Sequence, residues 1–271
     1  MKSEVFNGQR FWTYFKYDLT QMWRNHVKAA ILIGFSGLIL YILGIAFNAV
    51  FNQVWAAPGF GSRVAVFFLA CFALELYQTR TYGYLTNRKK GASWLMLPAS
   101  SFEKWLSMIL MTLVIIPVAF LATYAIIDAI LAAVDPTYGQ LLIGAAKTAI
   151  VSAQQSLAEA NGEYSTTWNL GVMAAPAIIG YICNFLYFLL CGISFKRNKI
   201  LWAFIILFVV SIAFSTVMTM MGLQTDYYEI NELSEAEALI RSVIRWSTLA
   251  SGVLAVGLAC GIFYRIKTLK H

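Results

Sequence analysis

The chain has 271 residues, of which 60% are hydrophobic and 12% are charged, and its mean hydropathy is +0.69. A soluble domain carries about twice that charged fraction, so the composition argues against a cytosolic globule, a secreted enzyme or a disulfide scaffold and predicts an all-α polytopic membrane protein. The net charge of +7 is better explained by basic cytoplasmic loops than by nucleic-acid binding, so we expect no nucleic-acid partner.

Residues 1–28 predict a cytoplasmic segment with an amphipathic helix lying in the membrane interface. Large apolar side chains recur there at helical spacing, and polar residues lie between them. The apolar residues are Trp12, Phe15, Leu19, Met22 and Trp23. Aromatic rings favour the headgroup level, although an ordinary anchor leading into the first span would have the same pattern. No apolar stretch precedes a small-residue cleavage site, so we expect no cleavable signal peptide.

Six segments are long and apolar enough to predict membrane spans, within one transmembrane domain covering 1–271. They are 29–51, 60–77, 105–127, 170–193, 200–221 and 247–264, and a short tail follows at 265–271. The second is the weakest because it contains Arg63 and Glu75.

The distribution of Lys and Arg predicts the orientation of these spans. Sixteen of the 20 basic residues lie in the N-terminal segment, the second-to-third loop, the fourth-to-fifth loop and the tail. Because such residues collect on the cytoplasmic side, both termini should be cytoplasmic, in a plasma (inner) membrane protein. Most of the acidic residues lie in the opposite set of segments.

The second-to-third loop combines a basic cluster, Arg88, Lys89 and Lys90, with an apolar cluster that runs from Trp94 to Leu97. Pro98 ends the apolar cluster. An exposed apolar cluster beside positive charge favours burial against a partner protein or the membrane surface, but a solvated loop packed on itself is the alternative.

Two outer segments, 139–158 and 228–246, have apolar residues at helical spacing and predict short amphipathic helices on the outer face. Ser100 and Glu103, in the second-to-third loop, form an S-x-x-E capping box that predicts the start of the next helix.

No catalytic or cofactor motif is evident. The chain lacks G-x-x-x-x-G-K-[ST], G-x-S-x-G and H-E-x-x-H, and its four cysteines lie inside apolar runs. We therefore expect neither an enzyme nor a bound cofactor or metal. Glu75 and Asp128 lie at opposite ends of their spans, where each could be an interfacial or a paired carboxylate rather than part of a proton relay.

The predicted topology, with its N-terminal interfacial helix and enlarged second-to-third loop, resembles the ABC-2-type permease subunits of ATP-binding cassette transporters. Leu97-Pro98-Ala99-Ser100-Ser101-Phe102-Glu103-Lys104 is similar to the LPAS-x-x-EK sequence of permease-like members. One departure is the long third-to-fourth loop, since that family has its outer region between the fourth and fifth spans.

This resemblance implies export of a hydrophobic or amphipathic substrate, driven by a separate ATPase subunit. It places an ATPase-coupling helix within 82–104, beside the interfacial helix, and implies a second permease subunit as homo- or heterodimer partner. The residues concerned are Arg88, Lys89, Lys90, Trp94, Leu97, Pro98, Ser100, Glu103 and Lys104. Two alternatives remain: an ion-coupled carrier, which needs buried charges near the midplane, and a non-transport sensor, assembly or immunity protein.

Overall fold

The computed structural model describes residues 6–161, 170–222 and 233–268, and this part of the chain is helical, with no strand. The α-helices within it are α1 Gly8–Met22, α2 Lys28–Gly34, α3 Ser36–Phe51, α4 Phe60–Thr81, α5 Arg88–Leu95, α6 Ser101–Leu110, α7 Ile116–Val134, α8 Leu142–Asn161, α9 Leu170–Ser194, α10 Lys199–Gly222 and α11 Leu233–Thr268. The prediction of an all-α chain is confirmed.

Five helical segments of the described chain are long and apolar enough to cross a membrane. They are Lys28–Phe51, Phe60–Thr86, Ser101–Val134, Ala175–Ser194 and Ile244–Thr268. Their surfaces are largely open: only 11% of the apolar window is buried in the last of them and 44% in Ala175–Ser194. A soluble protein does not expose so much contiguous apolar surface, so hydrocarbon is the solvent for these helices and the chain is a membrane protein.

The fifth predicted span, 200–221, lies in α10, whose described apolar stretch Lys199–Ile212 is shorter than a crossing. Whether α10 crosses the membrane, as a sixth span, therefore stays a prediction.

The chain forms two compact units. The first contains the described parts of Met1–Tyr77 and Pro98–Trp168, and the second those of Gln78–Leu97 and Asn169–His271.

In the first unit, α2 and α3 pack on α7. Gly34 makes the closest approach, because a Cβ atom there would lie 2.9 Å from the Cβ of Thr123. Ile127, Leu131 and Tyr138 form a buried cluster at the far end of α7. A glycine at position 34 therefore allows the first and third apolar helices to meet along their backbones.

The third apolar helix is interrupted by a π-helical turn, Met111–Ile115, directly before α7. Pro117 follows in the first turn of α7. Because proline has no backbone N–H, it cannot donate the usual hydrogen bond to the preceding turn, and a π turn accommodates the lost bond.

In the second unit, α9 packs on both α10 and α11. The hydroxyl of Tyr187 donates to the carbonyl of Ala203 at 2.6 Å, and the thiol of Cys183 donates to the carbonyl of Ser251 at 3.0 Å. Of the three glycines in the last span, Gly261 lies against α9, where a Cβ would be 3.6 Å from Leu190, whereas one at Gly252 or Gly257 would meet nothing within 4 Å.

Both predicted outer segments overlap helices. The first corresponds to α8. The second begins outside the described residues, at 228–232, and from Leu233 it continues into α11 without a break, so it is not a separate short helix.

Candidate functional site

The N-terminal helix α1 is held against the protein by a face that shares only Met22 with the predicted apolar stripe. Asn7 caps α1, its side-chain oxygen accepting from the backbone N–H of Gln9 and Arg10. The face buried against the protein carries Tyr14, Asp18 and Met22. Since these residues are four apart, they lie on one side of the helix.

Glu103 is the point at which the starts of α1 and α6 meet. Its carboxylate is fully buried and accepts from the Arg10 guanidinium, with Nε to Oε2 and Nη2 to Oε1 both at 2.8 Å. The backbone N–H of Asn7 donates to the same carboxylate at 2.9 Å. A negative charge at two helix starts is favourable, because their backbone N–H groups and dipoles point at it.

The same carboxylate completes the predicted capping box. Glu103 accepts from the backbone N–H of Ser100 at 2.8 Å, and the Ser100 hydroxyl accepts from the N–H of Glu103 at 3.2 Å. The capping-box prediction is confirmed. One side chain therefore fixes the first turn of α6 and binds α1 to it.

A second link joins the two helices further along. The hydroxyl of Ser107 donates to the buried carboxylate of Asp18 at 2.6 Å. Charge-assisted O–H···O bonds are this short and are stronger than neutral ones. Helix α1 is thus bound to α6 at two separated positions.

The opposite side of α1 is open. Trp12 is 54% exposed and Trp23, in the π turn that follows, is 52% exposed, while Phe15 and Leu19 are half-buried. The Trp12 and Phe15 rings stack at 5.8 Å. The predicted helix is present, but Met22, assigned to the stripe that faces the membrane, faces the protein. That the open side contacts lipid stays a prediction.

The second-to-third loop forms a short 3₁₀ turn, Gly83–Thr86, and then α5. Trp94 is buried, Leu97 is half-buried and Met96 is 84% exposed. The side chains of Arg88, Lys89 and Lys90 lie outside the described ones. The apolar cluster is therefore divided: Trp94 packs inward, and Met96 is its exposed member.

The other predicted coupling residues differ in accessibility. Pro98 is exposed and Ser100 is half-buried, whereas Glu103 and Lys104 are buried. Their role in docking stays a prediction, but Glu103 already has partners within the chain.

Sequence reasoning missed a buried ion pair between α4 and α7. The Arg63 guanidinium donates from Nη2 to Oδ1 of Asp128 at 2.8 Å, and both side chains are less than 10% exposed. It lies 3.8 Å from the centre of the Tyr138 ring, and it also donates to the Tyr138 carbonyl from Nη1 at 3.0 Å. The signal was present: two charges in adjacent apolar segments are expected to pair.

The same cluster fixes the loop that follows α7. The Asp128 carboxylate also accepts from the Tyr138 hydroxyl at 2.8 Å and from the backbone N–H of Leu142 at 2.7 Å. Burial, together with this hydrogen bond, raises the pKa of Tyr138 above its ordinary value. The phenol therefore stays protonated and remains a donor, and the cluster links α4, α7 and the loop after α7. The Arg63 Nε is buried without a hydrogen-bond partner.

Lys199 makes a further polar node that the sequence did not indicate. Its ammonium group donates to the carbonyl of Gly192 at 2.7 Å, to the hydroxyl of Thr86 at 2.9 Å and to the carbonyl of Gly83. These contacts hold the 3₁₀ turn against the end of α9. Within the part of the chain that the structure describes, no cluster of three or more His, Cys, Asp or Glu side chains could hold a metal ion.

No family model, no curated protein and no solved structure matches the chain.

Proposed function

We propose that the chain is the membrane-embedded subunit of an ABC-2-type ATP-binding cassette transporter, working with a separate ATPase subunit and a second permease chain. The observation that supports this most is the set of hydrogen bonds that Glu103 accepts from Arg10, Asn7 and Ser100, called the Glu103 node below. Glu103 stands where the second-to-third loop ends and the third apolar helix begins, and it also binds α1. Displacement of this end of the loop would therefore be passed to two membrane-associated helices together.

The chemistry of the node favours a stiff connection. The carboxylate receives donors from Arg10, Asn7 and Ser100 within a fully buried environment. Hydrogen bonds to a charged group are about twice as strong as neutral ones, and bidentate geometry fixes direction. ATP-driven closure of the partner would push on the loop and bias the helices between two arrangements.

Met96 is the residue we assign to the contact with the ATPase. It is 84% exposed in a loop between two apolar helices, whereas its neighbour Trp94 is buried. A large exposed apolar side chain outside a span is the kind of group that a partner covers. The cargo we propose is a hydrophobic or amphipathic molecule that is exported across the plasma membrane.

The test is reconstitution of the full chain in nanodiscs with the ATP-binding-cassette ATPase encoded nearest to its gene. We expect copurification and stimulated ATP hydrolysis. Met96→Glu should weaken ATPase binding roughly tenfold, as loss of an interface contact of about 1.4 kcal/mol does.

The matched control is Ile143→Glu, because Ile143 is 83% exposed but lies beyond the other end of the third apolar helix. We expect this variant to bind like the parent chain. Absence of ATPase binding by the parent, or equal binding by both variants and the parent, would contradict the proposal.

A further inference from the structure

A groove in the second unit lies where α4 ends and α10 begins. It has a volume of about 780 Å³, within the range of roughly 300–1,000 Å³ that small-molecule sites occupy. Its walls meet where Gly192 of α9 approaches the last turn of α4: a Cβ at Gly192 would lie 2.6 Å from the carbonyl oxygen of Thr79. Arg80, the next residue, lines the groove together with residues of the turn that joins α9 to α10.

One end of the groove is positively charged. Arg80, Lys196 and Lys199 line it, and among the residues that the structure describes no Asp or Glu does. Arg80 and Lys196 are both exposed. Within the described part of the chain, neither of them forms an ion pair. Lys199 donates its ammonium hydrogens to Gly83, Thr86 and Gly192, so it shapes the groove and leaves Arg80 and Lys196 for an anion.

The other wall is apolar and follows α10. Leu201, Phe204 and Ile205 line it and are 53%, 41% and 42% exposed. Because they are spaced three and four residues apart, they form one stripe that leads away from the charged end. A cationic end joined to an apolar stripe is complementary to a molecule that carries an anionic head and a hydrocarbon chain.

We propose that this groove binds an anionic phospholipid of the surrounding membrane, with the headgroup phosphate between Arg80 and Lys196 and one acyl chain along Leu201, Phe204 and Ile205. A free phosphate would use only the charged end. The lipid also accounts for the apolar stripe, and basic residues between membrane helices are a known kind of site for such headgroups. The inference requires only that the chain is a membrane protein and does not depend on an ATPase partner.

The test measures binding of phosphatidylglycerol and phosphatidylcholine to the purified full chain by native mass spectrometry. Retention of phosphatidylglycerol over phosphatidylcholine is expected. Arg80→Gln with Lys196→Gln should weaken phosphatidylglycerol binding by about 25-fold, from about fivefold for each basic residue near an anionic surface. Arg197→Gln is the matched control, because Arg197 is exposed in the same turn but does not line the groove.

Two further experiments distinguish a bound phospholipid from a bound free phosphate. Phe204→Ala, which leaves both cations in place, should weaken lipid binding without changing binding of free glycerol phosphate, and it keeps the proposal testable if the double variant does not fold. Crosslinks from a phosphatidylglycerol with a photoreactive acyl chain should map to 201–205. Equal binding of the two lipids, an equal loss in Arg197→Gln, or binding of glycerol phosphate as tight as that of the lipid would overturn the proposal.

Discussion

Arg63 and Asp128, 65 positions apart in sequence, form a buried ion pair with an Nη2–Oδ1 distance of 2.8 Å. Removing one partner of such a pair leaves an uncompensated charge, at a cost of about 3–5 kcal/mol, whereas apolar replacement of both is close to neutral. We therefore expect Arg63→Met and Asp128→Leu each to destabilise the protein strongly, and the double variant to be more stable than either single variant. Denaturation of the purified protein in micelles measures this, and strictly additive losses would contradict it.

Replacement of Glu103 should destabilise the N-terminal helix and the start of α6 together. Loss of the capping interaction costs about 1 kcal/mol and loss of hydrogen bonds to the charged carboxylate about 1.5–3 kcal/mol more, so Glu103→Ala should cost about 2.5–4 kcal/mol. Glu103→Gln keeps an acceptor for the backbone N–H groups, so its stability should lie between that of the parent chain and that of Glu103→Ala. Proteolysis within 1–28 should accelerate in the same order, and unchanged protection in Glu103→Ala would count against the node.

The close approach of Gly192 in α9 to Thr79 in the last turn of α4 predicts that a larger residue at position 192 destabilises the protein. Gly192→Ala would place a Cβ 2.6 Å from a backbone oxygen, which forces the helices apart at a cost of about 1–3 kcal/mol. Gly180→Ala, in the same helix, meets nothing within 4 Å and should be neutral or stabilising, because alanine favours helix over glycine by about 1 kcal/mol. The thermal unfolding midpoint should therefore fall in Gly192→Ala and stay unchanged or rise in Gly180→Ala, and similar midpoints would refute the close contact between Gly192 and Thr79.

His26 gives a pH dependence. Its Nδ1 lies 2.9 Å from the Tyr77 hydroxyl, and burial lowers the pKa of His26 below its ordinary value of 6.5. As pH falls, the imidazole of His26 is therefore protonated in the unfolded chain before it is protonated in the folded one. The contribution of neutral His26 to the free energy of unfolding is complete above pH 6.5 and decreases below it. The unfolding midpoint should fall less between pH 7 and pH 5 in His26→Gln than in the parent; equal pH dependence would mean that His26 does not contribute.

Local signals in the sequence predicted more of the structure than long-range ones did. The spacing of Ser100 and Glu103 was sufficient to predict the start of α6, since a capping box is contained in four residues. The second role of Glu103 was not predictable, because Arg10 lies 93 positions away. No periodicity within α6 specifies which other helix start will reach the same carboxylate.

The N-terminal helix shows the same limit. Its helical spacing predicted α1. The sequence did not distinguish the face of the helix that packs on the protein from the face that is left open. Met22 proved fully buried, whereas Trp12 is more than half exposed. The sequence showed that Arg63 weakens the second predicted span and that Asp128 is an interfacial or paired carboxylate, but it did not pair the two residues.

The proposed topology places the second-to-third loop and the outer segment 139–158 on opposite sides of the bilayer. Met96 and Ile143 suit a test, because they are 84% and 83% exposed and flank the third apolar helix. In a background without Cys71, Cys183, Cys191 and Cys260, single cysteines at these positions can be labelled with a membrane-impermeant maleimide. We expect Met96→Cys to react only from the cytoplasmic side and Ile143→Cys only from the outside; labelling of both from one side would contradict this topology.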